Sequence, residues 1–294
     1  MRARGVWAGV VAASVVLLAG CSGSSTADDG RIHVVASTNV YGSIAEAIGG
    51  DAVGVTSLIA SAAQDPHEFE ASARDQLRVS EADVVIENGG GYDPFMQGLI
   101  SASSSKAQVV TAVDLSQKFT PGGNEHVFYD PATMAALADD LAARFAKLDP
   151  SGADTFTANA HAFGAGIDRI EATLAAIDKK HHGSGVFVTE PLPLYLTEAA
   201  GLRNLTPAAF SEAVEAGQDV APAILLEALK IVASDQAQVV IVNEQAGGSE
   251  SDRVQGAAKD ASTPVLAFSE LVPDGDTYLT WMQGNADALA RALG

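Results

Sequence analysis

The chain has 294 residues, of which 47% are hydrophobic, and its 37 acidic and 17 basic side chains give a formal net charge of −20. This acidic excess argues against nucleic acid as a partner, because no basic surface is available to neutralise phosphates. Cys21 is the only cysteine, so a disulfide within the chain is excluded and the fold must rely on its hydrophobic core.

Residues 1–20 are predicted to be a signal peptide. Arg2 and Arg4 precede an apolar run over residues 9–18, which is too short to span a bilayer as a mature anchor. Small residues directly before Cys21 are typical of a bacterial lipoprotein signal, in which the cysteine thiol is lipidated and becomes the new N-terminus. An ordinary secretory signal with a chance cysteine is the alternative. Residues 21–31 then form a polar, flexible tether.

The next part of the chain, residues 32–152, is predicted to be an N-terminal lobe. Strand-like runs alternate with helical patterns and lead to a helix that opens at Pro131. This alternation predicts a largely parallel sheet that is covered on both faces, with ligands beyond the carboxyl ends of its strands. The strands are expected at 32–36, 53–59, 83–87 and near Val109, and the helices at 41–48, 73–82 and 131–148.

A long helix is predicted at 153–182. Its apolar residues recur at alternating steps of four and three, which indicates one narrow stripe along an unbroken helix about 42 Å long. The stripe consists of Phe156, Ala160, Phe163, Ile167, Ile170, Leu174 and Ile177. The helix is either a rigid strut that joins two lobes or an antiparallel partner packed on residues 131–148.

The αβ pattern restarts after this helix and predicts a C-terminal lobe over residues 183–294. Strands are expected at 186–188, 239–242 and 264–268, and helices at 192–200, 222–233, 252–259 and 278–293. The predicted fold class is therefore α/β, with two αβ lobes of mainly parallel sheet, a long rigid linker helix between them, and a binding site in the cleft between the lobes.

Two of the six histidines lie in polar loops that suit metal binding. His67 follows the strand at 53–59, and Pro66 stiffens its loop, so the imidazole would be held ready for a ligand. His126 lies directly before the helix that opens at Pro131. The other four histidines are interpreted as structural or surface residues.

The motifs around these histidines, taken in order, resemble the metal-ion solute-binding proteins of zinc and manganese ABC importers. The resemblance covers residues 32–293. Its motifs are Ala36-Ser37-Thr38-Asn39-Val40-Tyr41, Asp65-Pro66-His67-Glu68-Phe69-Glu70, Asn88-Gly89-Gly90-Gly91-Tyr92-Asp93, Asn124-Glu125-His126-Val127-Phe128-Tyr129-Asp130-Pro131, Thr189-Glu190-Pro191 with Tyr195, and Gly275-Asp276-Thr277-Tyr278.

The resemblance implies four metal ligands, His67 and His126 from the N-terminal lobe and Glu190 and Asp276 from the C-terminal lobe. Asp276 has a second interpretation, as the N-cap of the last helix, a role that Thr277 is able to share. Asp65 and Asp130 are candidates to orient the ligand imidazoles, and Glu244 is a candidate to support the site from the end of a strand.

The resemblance also implies a role in transport. The expected cargo is one divalent transition-metal ion, Zn²⁺ or Mn²⁺, delivered to the permease of an ABC importer by a monomer that is lipid-anchored through Cys21 on the extracytoplasmic face of the cell membrane. Two imidazoles with two carboxylates favour Mn²⁺, whereas the general order of affinities favours Zn²⁺, so the metal stays open.

Two other classes of function compete with this one. A metal-dependent hydrolase needs an open ligand position and a general base, and the sequence has no His-Glu-x-x-His motif. A third class is a surface adhesin or a binder of a chelated metal such as haem or a siderophore. A bulky chelate requires a wide cleft lined by aromatic residues, and only 6% of the residues are aromatic. The chain is therefore predicted to be a binding protein and not an enzyme.

Overall fold

The computed structural model describes residues 30–61, 64, 66, 69–234 and 236–294. The predicted signal peptide and nearly all of the tether, including Cys21, lie outside these residues, as does His67. Within the described part of the chain, no helix has both the length and the apolar character that crossing a bilayer requires.

The first sheet has four parallel strands, and together with its helices it forms the N-terminal lobe. The strands are β1 (Ile32–Thr38), β2 (Val53–Ile59), β3 (Val84–Glu87) and β4 (Gln108–Thr111). Their spatial order is β2-β1-β3-β4. The helices are α1 (Asn39–Gly49), α2 (Ala73–Glu81), α3 (Pro94–Ser103) and α4 (Pro131–Leu148).

Side chains alternate across this sheet, so that both of its faces are buried. Val34 and Ile86 face the core that holds α1 and α4, whereas Val35 and Val85 face a second core under α2 and α3. This alternation is the period of two that strands impose on side-chain direction. The sheet is therefore covered on both faces, as its apolar strands predicted.

The long helix α5 (Ala153–His181) follows the N-terminal lobe and has 29 residues. Every residue of its predicted apolar stripe is buried. It packs along α4, where the rings of Phe145 and Phe156 are 5.7 Å apart, and it runs on to the second sheet. The two interpretations of this helix thus describe one arrangement, because the helix that leads to the C-terminal lobe also packs on residues 131–148.

The second sheet repeats the strand order of the first and, with its helices, forms the C-terminal lobe. Its strands are β5 (Gly185–Val188), β6 (Arg203–Asn204), β7 (Ala237–Asn243) and β8 (Val265–Phe268), in the parallel order β6-β5-β7-β8. Its helices are α6 (Leu194–Ala199), α7 (Ala208–Glu215), α8 (Pro222–Val232), α9 (Ser249–Asp260) and α10 (Tyr278–Leu293). The predicted α/β fold class is confirmed. Strand β6 and helices α3 and α7 were not predicted.

One hydrophobic core runs through both lobes. It contains Val34 of β1, Ile241 of β7, the stripe of α5 and the buried side chains Met282 and Leu289 of α10. Gly166 allows α10 to approach α5 closely, since a Cβ at this position would come within 2.5 Å of Leu279 Cδ1. The shared core explains why residues 31–294 form one compact unit.

Hydrogen bonds between the lobes add to this core. The side chain of Asn39 pairs with both backbone groups of Val272, at 2.8 and 3.0 Å. The hydroxyl of Tyr129 donates to the carbonyl of Ser269, and that of Tyr278 donates to the carbonyl of Phe128. The lobes are thus held together by specific polar contacts as well as by apolar packing.

Candidate metal centre

Three neighbouring strands of the second sheet end in polar residues at its carboxyl edge. Glu190 follows β5 by two residues, Asn243 is the last residue of β7, and Glu270 follows β8 by two residues. All three side chains are buried, with residue exposures of 3%, 6% and 2%. Since β5, β7 and β8 are adjacent, these three side chains converge where parallel sheets bind their ligands.

A single amide nitrogen joins the two carboxylates of this group. Nδ2 of Asn243 donates to Glu190 Oε2 at 2.6 Å and to Glu270 Oε1 at 2.7 Å. Two buried carboxylates that share one donor nitrogen repel each other when both are ionised. Burial of each charge also costs free energy unless it is compensated. A cation between or beside them would relieve both costs.

His126 of the N-terminal lobe lies on the loop between β4 and α4, and it is completely buried. Oδ1 of Asn124 accepts a hydrogen bond from the backbone N–H of His126 at 3.1 Å, and it lies 2.8 Å from ring Nδ1. Because an amide oxygen only accepts, Nδ1 carries the proton and Nε2 carries the lone pair. This is the tautomer in which an imidazole coordinates a metal through Nε2.

Tyr92 connects His126 with the carboxylates of the second lobe. Its ring meets the His126 ring edge-on, with centroids 5.6 Å apart, and its hydroxyl donates to Glu270 Oε2 at 3.0 Å. Burial, and next the negative charge of Glu270, raise the pKa of Tyr92 well above 10, so this hydroxyl keeps its proton and remains a donor. Tyr92 therefore holds Glu270 close to the imidazole.

Asn124 makes a second connection between the lobes. Its side-chain Nδ2 donates to the backbone carbonyl of Pro191 at 3.0 Å, and its backbone carbonyl accepts from the hydroxyl of Tyr195 at 2.6 Å. Pro191 directly follows Glu190. The residue that orients the His126 ring thus also fixes the backbone next to Glu190.

A further carboxylate, Glu215, approaches the same region from the end of α7. Its Oε1 lies 3.9 Å from Nδ1 of His126. Burial raises the pKa of Glu215 to about 8, and the charges of Glu125, Glu190, Glu270 and Glu212 contribute in the same direction. The centre is therefore strongly negative once its carboxylates are ionised.

Comparison with known proteins identifies the family. Residues 34–292 match the family model described as "Zinc-uptake complex component A periplasmic". The chain belongs to this family. The resemblance inferred from the loop motifs is thereby confirmed.

Relatives with similar sequences are substrate-binding lipoproteins of ABC transporters. The iron ABC transporter substrate-binding lipoprotein MtsA of Streptococcus pyogenes is 26% identical over 95% of both chains. The manganese ABC transporter substrate-binding lipoprotein ScaA of Streptococcus gordonii is 23% identical over 94% of both chains. Each of these two matches thus spans almost the whole length of the chain.

Solved structures share the fold. The periplasmic zinc-binding protein TroA of Treponema pallidum superposes with a TM-score of 0.75 and 17% identity, and a crystal structure of ZnuA with a TM-score of 0.73 and 20% identity. Each match covers 90% of this chain and all of the other. The two-lobed α/β architecture is therefore that of the family.

The structure brings together only some of the residues that the family resemblance implied as ligands. His126 and Glu190 lie in the group described above, and His67 lies outside the described residues. Asp276 does not join them: its side chain is exposed, and its Oδ1 accepts a hydrogen bond from Thr280 Oγ1 at 2.9 Å at the start of α10. Thr277 is the N-cap of that helix.

The candidates for supporting roles also differ from the expectation. Glu244 is exposed, and the preceding residue, Asn243, carries the buried side chain at the end of β7. Asp130 caps α4 and accepts from Lys118 Nζ at 2.7 Å, so the residue that orients His126 is Asn124 instead. Asp65 lies outside the described residues.

Glu270 and Asn243 had a usable signal in the sequence, since both lie at the carboxyl end of an apolar strand, as Glu190 does. Glu215 had none, because it lies on a helix of only eight residues, which is too short to show a helical period.

Proposed function

We propose that this chain binds one divalent transition-metal ion at the contact between its lobes and delivers it to the permease of an ABC importer. The observation that carries the proposal is the pair of buried carboxylates, Glu190 and Glu270, which share the amide of Asn243 beside the buried imidazole of His126. Buried groups of this kind are compensated when they bind a cation.

We assign His126, Glu190 and Glu270 as ligands, together with His67 as predicted from its motif. Glu270 takes the place in this set for which Asp276 was expected. Imidazole and carboxylate donors suit Mn²⁺, Fe²⁺ and Zn²⁺. Manganese and iron occur in the names of the relatives, and zinc in the description of the family.

The anchor and the assembly state are further parts of the proposal. The residues before Cys21 support lipidation, and the relatives MtsA and ScaA are named as lipoproteins. We infer that the chain is tethered to the extracytoplasmic face of the cell membrane through this cysteine and acts as a monomer. Sedimentation analysis of the chain from residue 22 onward should give the mass of one copy with and without metal.

Metal content tests the central claim. Protein purified without chelator, or stripped and reloaded with Mn²⁺, Fe²⁺ or Zn²⁺, should hold one ion per chain by elemental analysis. Binding should raise the thermal midpoint, since an ion present at a hundredfold excess over its Kd stabilises the folded state by about 2.7 kcal/mol. A content of zero, or of two or more ions, would contradict this site.

Transport itself needs a cellular test. Cells that lack the gene for this chain should take up less radioactive Mn²⁺ or Zn²⁺ than cells that carry it, and a gene with Glu190→Gln should fail to restore uptake. Full uptake by cells that express only the Glu190→Gln variant would overturn the proposed role.

A further inference from the structure

Helix α7 brings a carboxylate of the C-terminal lobe to the histidine loop of the N-terminal lobe. Phe210 anchors this helix, because it is completely buried and its ring meets that of Phe187 edge-on at 5.4 Å. Glu215 is the last residue of the helix. Single ligand atoms of Glu125, His126 and Glu215 all lie within 4.8 Å of one another, a spacing at which they can hold one metal ion.

The environment of Glu215 fits a residue that meets a cation. Its Oε1 is shielded from solvent and makes no hydrogen bond with a described residue, and the side chain as a whole is 22% exposed. The charges that act on it are those of other carboxylates, Glu190 and Glu270 among them. A shielded carboxylate oxygen among like charges is destabilising on its own.

We propose that Glu215 is an additional metal ligand, which binds the same ion as His126, Glu190 and Glu270 and shifts the preference of the site from Zn²⁺ toward Mn²⁺ or Fe²⁺. This inference rests on the function proposed above and adds a third carboxylate to the donor set. Carboxylate oxygens suit the harder ions, whereas Zn²⁺ prefers four ligands with nitrogen or sulfur donors. A fifth ligand from α7 therefore lowers the advantage that Zn²⁺ has at most sites.

The test compares Glu215→Gln with the matched control Glu212→Gln. Both variants replace a carboxyl group of α7 with an uncharged amide of the same shape, but Glu212 is exposed. Dissociation constants for Mn²⁺ and Zn²⁺ are measured by competition with a chelator. We expect Glu215→Gln to lose about tenfold or more in Mn²⁺ affinity and much less in Zn²⁺ affinity, whereas Glu212→Gln retains both.

A spectroscopic measurement reports the coordination directly. Co²⁺ with four ligands absorbs visible light far more strongly than Co²⁺ with five or six, because the geometry of the donors governs its transitions. The Co²⁺-loaded Glu215→Gln variant should therefore absorb more strongly than the wild type and the Glu212→Gln control.

The outcomes separate this inference from the function on which it rests. If the wild type binds no metal, the proposed function fails. If the wild type binds one ion but Glu215→Gln has the wild-type Co²⁺ spectrum and the wild-type ratio of Mn²⁺ to Zn²⁺ affinity, the function stands and Glu215 is not a ligand. If Glu215→Gln and Glu212→Gln lose affinity to the same extent for Mn²⁺ and for Zn²⁺, the loss is a general effect of charge and the inference is overturned.

Discussion

The side-chain oxygen of Asn124 accepts from the backbone N–H of His126 and lies 2.8 Å from the Nδ1 of its ring. One short side chain thus fixes both the position and the tautomer of the imidazole. Contacts of this kind to a metal-binding histidine are worth about ten- to a hundredfold in affinity.

Replacement of Asn124 should therefore weaken metal binding without removing a ligand. We expect Asn124→Ala to lose about ten- to a hundredfold in affinity, since both the acceptor for His126 and the donor to Pro191 disappear. Asn124→Asp, which keeps the acceptor, should lose less. Asn159→Ala is the control, because it removes an amide that donates a hydrogen bond to the carbonyl of Ile48. It should keep the wild-type metal affinity. Wild-type affinity in Asn124→Ala, measured by chelator competition, would refute this role.

Substitutions at Glu270 and at Asp276 are expected to have different effects on metal affinity. Glu270→Gln should reduce affinity by about a hundredfold or more, because a buried carboxylate beside Glu190 is neutralised. Asp276→Asn changes an exposed side chain at the start of α10 and should alter affinity by less than about twofold. The two variants are compared in one Mn²⁺ titration, and a larger loss for Asp276→Asn would restore Asp276 as the ligand.

A buried carboxyl of the N-terminal lobe should make the stability depend on pH. Glu87 is 4% exposed, and burial raises its pKa above the ordinary 4.5, as do the charges of Asp93 and Asp114, although a hydrogen bond from Thr111 opposes the shift. As the pH rises above 4.5, the unfolded chain loses this proton before the folded chain does. The folded state therefore loses stability until the pH passes the folded pKa.

The measurement is the thermal midpoint of metal-free protein between pH 5 and pH 7. Glu87→Gln should reduce the fall in midpoint over this range, because its side chain does not ionise. Glu46→Gln, an exposed change on α1, is the control and should keep the wild-type slope. If the thermal midpoint falls equally with pH in the wild type and in both variants, Glu87 is not the source of the pH dependence.

The shared core should make the lobes unfold together. Ile170→Ala in the middle of α5 empties a fully buried position and should cost about 2–5 kcal/mol of unfolding free energy, whereas Glu171→Ala, one residue along on the exposed face, should cost little. Because α5 contacts both lobes, urea denaturation should stay a single transition that shifts to lower urea. Two separate transitions would contradict a common core.

The anchor is tested by Cys21→Ser in the full chain. The variant should leave the membrane fraction and appear in the soluble extracytoplasmic fraction, while its metal affinity stays unchanged, because Cys21 precedes both sheets. Persistence in membranes after washing with high salt would mean that another segment holds the chain there.

The sequence predicted the long elements well because their patterns are strong. The stripe from Phe156 to Ile177 and the start of α4 at Pro131 both appear in the structure as expected. Helix α7 was missed because it has only eight residues and is stabilised by the packing of Phe210, which the local sequence does not reveal.

The candidate site was only partly predictable from the sequence, because it depends on how the ends of separate strands are arranged in space. Motif resemblance pointed to Asp276, whose side chain is exposed in the structure, whereas the buried carboxylate near the end of β8 is that of Glu270. Position relative to the strand ends would have favoured Glu270, since it follows β8 by two residues as Glu190 follows β5. The bridging amide of Asn243 depends on the order of the strands in the sheet, which a single sequence does not give.

The sixteen residues of helix α10 cover the stripe of α5 and contact α1 near the beginning of the fold. The backbone N–H of Tyr278 donates to Ser43 Oγ on α1, and its hydroxyl donates to the carbonyl of Phe128, which lies just before α4. A chain that lacks α10 therefore leaves much of the central apolar surface uncovered. Truncated products that stop short of Tyr278 are therefore expected to be substrates for chaperones and proteases.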